Sequence, residues 1–180
     1  RSSDLNTIDL SNNTGWSISS PTPRNLYWVG NTGNWTDQSH WAISSGGAGG
    51  ECVPNPGDNV FFDANSFSAS GDSVIIDVST TNCNNMDWTG AANSPTLASS
   101  TYTNSLKIYG SLTLISAMTL SFDGNLYFEA TSTGNTITMA SNVVPGSSTY
   151  IYFNGAGGEW TLLDSLTAPT MYLEFAREVR

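Results

Sequence analysis

Asp58, Asp63 and Asn65 put three oxygen-bearing side chains in one turn-rich stretch that begins at Pro54-Asn55-Pro56-Gly57. Hard cations take carboxylate, amide and backbone oxygens, so this is the candidate calcium site. Asx side chains also simply close turns, and no EF-hand-type loop is present. Calcium is the candidate structural ion, and no other cofactor is expected. Tyr127 and Tyr152 offer rings for stacking on sugars, while Thr113, Thr138 and Thr161 offer hydroxyls at a regular interval. The plainer use of both sets is strand propensity and cross-strand pairing.

Enzymatic chemistry is thinly supplied. His40 is the single histidine, and its neighbours Ser39 and Trp41 point to packing. Lys107 is the one basic residue between 25 and 176, hence the one candidate base for a polysaccharide lyase. A glycosidase needs carboxyl groups about 5–9.5 Å apart. Asp123, Glu129 and Asp164 would have to converge for that, and their offsets along the chain differ. Catalysis is not expected. Cys52 and Cys83 suit one disulfide, worth roughly 3–4 kcal/mol for a loop of this length; two free buried thiols are the alternative. With one histidine and two cysteines, zinc is disfavoured.

The elements that would carry these residues are visible as short apolar couplets. Leu106/Ile108, Leu126/Phe128, Ile151/Phe153 and Leu173/Phe175 return at intervals of 20, 25 and 22 residues. A second series, Leu112/Leu114, Ile137/Met139 and Trp160/Leu162, runs in step with the first. Each couplet alternates as a strand with one buried face does. A constant return length is the mark of a coil whose turns stack. The expected fold is all-β, a right-handed parallel β-helix; an antiparallel β-sandwich is the alternative. Stacking would align the outward residues as well, predicting a ladder of Thr113, Thr138 and Thr161 on one face. On another face Lys107, Tyr127, Tyr152 and Glu174 would align.

Three zones follow. Residues 1–24, with Leu5, Ile8 and Leu10 before Pro21 and Pro23, read as the tail of a preceding domain plus a Pro/Ser linker. Residues 25–68 read as a Trp/Gly-rich cap in which Trp28, Trp35 and Trp41 close the open end of the coil. An uncapped terminal turn would expose its core and its strand edges. Residues 69–180 read as β-helix rungs cut short at the C-terminal end, with 89–104 a loop thrown out of the coil. No helical periodicity is present.

Charged residues make up only 11% of the chain, and five basic against fifteen acidic residues give a net charge of −10. Without clustered Lys or Arg, neither nucleic acid nor an anionic membrane surface is a fitting partner. No apolar run is long enough to span a membrane.

The Trp-x-Gly to His-Trp opening leads to Asp58-Asn59-Val60-Phe61-Phe62-Asp63. Farther on come Leu106 to Leu114, Gly134-Asn135-Thr136-Ile137-Thr138 and Phe153 to Leu162. Together these segments resemble the repeat modules of very large cell-surface proteins of gliding, Bacteroidota-type bacteria. They are similar, more distantly, to the β-helical passengers of autotransporter adhesins. The resemblance implies an extracellular, outer-membrane-associated location reached by type IX secretion, with the secretion machinery as a partner. It implies an adhesive, gliding or spacer role, with surface glycans or other cell-surface proteins as partners. A carbohydrate-binding module and a polysaccharide-degrading β-helix are the alternative functions.

Overall fold

In the computed structural model, residues 22–145, 150–168 and the strand backbone of 172–175 are described. Three sheets wrap one core. The first sheet stacks, in spatial order, Trp41–Ala42, Asn25–Trp28, Asn59–Phe61, Met86–Asp87, Leu112–Thr113, Asn135–Thr138 and Trp160–Leu162. The second stacks Gly33–Asn34, Ser73–Ile76, Thr96–Ser99 and Thr119–Ser121. The third stacks Thr80–Cys83, Ser105–Ile108, Asn125–Phe128, Tyr150–Phe153 and Tyr172–Phe175. Each strand pairs in parallel with the strand one turn away, except Trp41–Ala42, which runs antiparallel to Asn25–Trp28. The fold is a parallel β-helix, and the sandwich alternative is excluded by this pairing.

The couplets of the third sheet lie in register as their spacing predicts. Leu106, Leu126, Ile151 and Leu173 form one column, and Ile108, Phe128, Phe153 and Phe175 the next. Thr81 and Cys83 extend both columns by one rung. On the first sheet Leu26, Val60, Met86, Leu112, Ile137 and Leu162 align. Every inward aliphatic or aromatic side chain buried this way contributes about 1.5–3 kcal/mol of transfer free energy. The core is contiguous through these columns, so turns stabilise one another rather than folding alone.

Two expectations are corrected. The stretch 89–104 is not a loop outside the coil: its Thr96–Ser99 strand pairs on both sides within the second sheet, with Leu97 buried. The Ser/Thr/Ala composition hid a strand that contributes one inward leucine. The threonine ladder is also broken. Thr113 pairs with Thr138, but Thr161 pairs with Thr136, because the last rung sits two residues out of the expected register. Trp160 explains the slip. Its indole packs against Phe128 and Phe153 at centroid distances of 6.0 and 5.4 Å and donates Nε1–H to the Gly110 carbonyl. Leu162 then takes the inward position over Ile137.

The cap is continuous with the coil, since Asn25–Trp28 and Asn59–Phe61 are the first rungs of the first sheet. Trp28, Trp35 and Trp41 are buried, and edge-on contacts of 5.1 and 4.8 Å join Trp41 to the other two. The antiparallel Trp41–Ala42 strand covers the edge that the first rung would otherwise leave bare. The tail at Leu5, Ile8 and Leu10 lies outside the described residues.

Candidate functional site

The third sheet positions the most distinctive surface group. Residues alternate in and out along each strand, so Asn82, Lys107, Tyr127 and Tyr152 share one outward column, and Glu174 is the backbone partner of Tyr152 on the next strand. The Tyr127 and Tyr152 rings are stacked nearly parallel at 4.3 Å. Tyr150, one column over, stacks on Tyr152 at 5.9 Å. Lys107 lies with its ammonium 5.0 Å from the Tyr127 centroid and 3.2 Å from Glu129 Oε1. A cation over a tyrosine face is attracted by the ring quadrupole. Tyr127 therefore has one face against Lys107 and the other against Tyr152. Sugar stacking needs an open face, and the ladder spends those of Tyr127 on itself.

Lys107 is held by a carboxylate and a ring. The three carboxyl groups considered for hydrolysis have separate partners. Asp123 is hydrogen-bonded to the Ser99 hydroxyl and Glu129 to Lys107, while Asp164 accepts the Met139 and Ala140 N–H groups at 2.7 and 2.5 Å.

The candidate calcium residues are not brought together. Asp58 and Asp63 flank opposite ends of the Asn59–Phe61 strand, and a strand advances about 3.3 Å per residue. Asp58 is fully buried, and four N–H donors occupy its oxygens. Arg24 N and Nε reach Oδ1 at 3.0 and 3.1 Å, while Arg24 Nη2 and Asn55 N reach Oδ2 at 2.6 and 3.0 Å. Asp58 holds the Arg24 guanidinium above its usual pKa. Asp63 accepts the Asn65 N–H, and the Asn65 amide turns away to Ser45 Oγ. Proximity in sequence is undone here by the strand between them. Among the described residues no group of three His, Cys, Asp or Glu side chains is placed to hold a metal.

The expected staple is corrected as well: Cys52 and Cys83 are both free thiols. Cys83 faces into the core beneath Ile108, where burial and the nearby Asp58 charge push its pKa up. Cys52 stands half-buried in the loop beside Arg24.

His40 packs, as its neighbours indicate. Its ring stacks on Trp28 at 4.6 Å and 5°, and Nδ1 lies 2.7 Å from the Val29 carbonyl, so that nitrogen carries the proton. Gly30 and Gly33 leave the space that the imidazole fills.

A polar ladder went unread in the sequence. Asn59 donates to Asn25 Oδ1 and accepts from the side-chain amides of Asn84 and Asn85. Asn85 Oδ1 then accepts from Ser111 N, and Ser111 Oγ from Thr136 N. The available signal was an asparagine directly before an inward apolar residue, at Asn25-Leu26, Asn59-Val60 and Asn85-Met86. Inside the coil, Leu97, Leu106, Leu112, Phe122 and Met139 help line a void of about 20 Å³ with no polar lining. It is too small for a substrate and offers water no partner.

The class defined by this geometry is a parallel β-helix with a sealed aromatic cap at one end. No protein-family model, curated protein or solved structure matches the chain.

Proposed function

We propose that the chain is a non-enzymatic structural and adhesive module of a large exported cell-surface protein, serving as a stiff spacer or contact element. The carrying observation is that its polar side chains are spent on the coil itself. Lys107, Tyr127 and Tyr152 brace one another, an asparagine ladder binds turn to turn, and Asp58 and Asp164 satisfy backbone and guanidinium donors. The low charged fraction and the net charge of −10 support an exported, surface-exposed setting. The resemblance to modules of gliding bacteria supports type IX export.

A carbohydrate-binding reading has one observation in its favour. Tyr150, which stacks on Tyr152, is 37% exposed. A glycan array probed with the wild-type chain and with Tyr127→Ala separates the two. The spacer reading expects no glycan whose capture depends on Tyr127. A glycan lost in that variant at unchanged melting temperature would transfer the assignment to carbohydrate binding. Turnover of acidic or neutral polysaccharides, with or without Ca²⁺, would overturn the non-enzymatic reading.

A further inference from the structure

The coil places two phenols where they can react with each other. Tyr127 and Tyr152 are backbone partners on adjacent turns, with Leu126 over Ile151 on one side and Phe128 over Phe153 on the other. Leu126, Phe128 and Ile151 are buried in the core, so the two tyrosines cannot slide past each other along the strands. Their rings lie 4.3 Å apart and 6° from parallel, and both residues are half-buried. Lys107, on the preceding rung, stands 5.0 Å from the Tyr127 centroid. Tyr152 is therefore the phenol that Tyr127 meets face to face.

Other tyrosines are placed differently. Tyr27 stacks on Phe61, which has no hydroxyl. Tyr150 lies farther from Tyr152, at 5.9 Å and 19°. Tyr102 is 69% exposed on a turn, open to other molecules. A phenol that loses one electron and one proton becomes a phenoxyl radical, whose unpaired spin is shared with the ring carbons ortho to oxygen. Two such radicals couple through those carbons. Holding the partners face to face turns a chance encounter into a step within one molecule.

We propose that Tyr127 and Tyr152 form a dityrosine site, at which one-electron oxidation staples adjacent turns of the coil. The oxidant is external, hydrogen peroxide used by a haem peroxidase. Each hydroxyl gives up one hydrogen atom, and the peroxide takes both and is reduced to two waters. A carbon–carbon bond forms between one ortho carbon of each ring. The hydrogens on those carbons then move to the oxygens and restore both phenols, so the net loss is one C–H bond from each ring. The link closes a loop one turn long and constrains the unfolded chain as a disulfide does.

Treating the dilute full chain with peroxidase and hydrogen peroxide tests this. The single-chain fraction on denaturing electrophoresis is expected to show dityrosine fluorescence and a mass lower by two hydrogens. Cleavage after acidic residues separates the two rings, because Glu129 lies between them, so joined peptides identify the link. Tyr127→Phe and Tyr152→Phe keep an aromatic stack and should each remove most of the single-chain dityrosine, whereas Tyr150→Phe should retain it. The linked wild type should melt at a higher temperature than the untreated chain, and treated Tyr127→Phe should not. Links found only between chains, through exposed positions such as Tyr102, would overturn the proposal. Single-chain dityrosine undiminished in Tyr127→Phe would do the same, as would its absence under conditions that couple free tyrosine. A linked chain with an unchanged melting temperature would overturn the stapling.

Discussion

The imidazole of His40 lies flat on the indole of Trp28, and it can do so because Gly33 has no side chain. A Cβ at position 33 would overlap the ring. Gly33→Ala should therefore displace His40 and destabilise the cap by about 1–3 kcal/mol in urea denaturation. Adding His40→Ala should recover part of that loss. Strict additivity of the two substitutions would remove the proposed contact.

Phe128 is fully buried and stacks on Phe153 at 5.0 Å. Phe128→Ala should cost about 3–5 kcal/mol through the cavity it leaves. Because the core runs through every turn, a single lowered transition is expected in thermal unfolding. An unchanged melting temperature would count against the stacked core.

The asparagine ladder hinges on Asn59, which bonds residues on both neighbouring turns. Asn59→Ala leaves the Asn84 and Asn85 amides short of an acceptor, so a loss of about 1–3 kcal/mol is expected by chemical denaturation. A variant as stable as the wild type would make the ladder ornamental.

Cys83 gives the coil an alkaline weakness. Burial raises its folded pKa, so the unfolded chain gives up the thiol proton first, from about pH 8.5 upward. The native state then holds more protons than the unfolded state, and stability must fall as pH rises. The melting temperature should drop between pH 7.5 and 9.5, and Cys83→Ala should flatten that dependence while lowering stability overall. Iodoacetamide should modify Cys52 in the native protein and Cys83 only on unfolding.

What was legible in the sequence was periodic and apolar. Leu106, Leu126 and Ile151 announced their column because each stands in a couplet of large side chains at a steady interval. Thr81 and Cys83 occupy the same column positions one rung earlier but lack the bulk that marks a core residue. The slip at Thr161 was hidden for the opposite reason: Trp160 looks like a core residue, yet its indole needs room that only a shifted register provides. The outward stack of Tyr127 on Tyr152 followed from spacing alone. Its orientation did not, and that orientation turns the faces inward along the ladder. Asp58 and Asp63, near each other along the chain, lie beyond opposite ends of one strand, a separation that sequence distance alone does not show.

Cross-linking of outward positions tests the stacked coil most directly. Thr113→Cys with Thr138→Cys places two thiols on paired Cα atoms of adjacent turns, within the separation a disulfide requires. Thr138→Cys with Thr161→Cys places them two residues out of register. Under mild oxidation, peptide mapping should find the 113–138 link within one chain and leave 138 and 161 reduced. Failure of the first pair to join, or equal joining of both pairs, would contradict the stacked, registered coil.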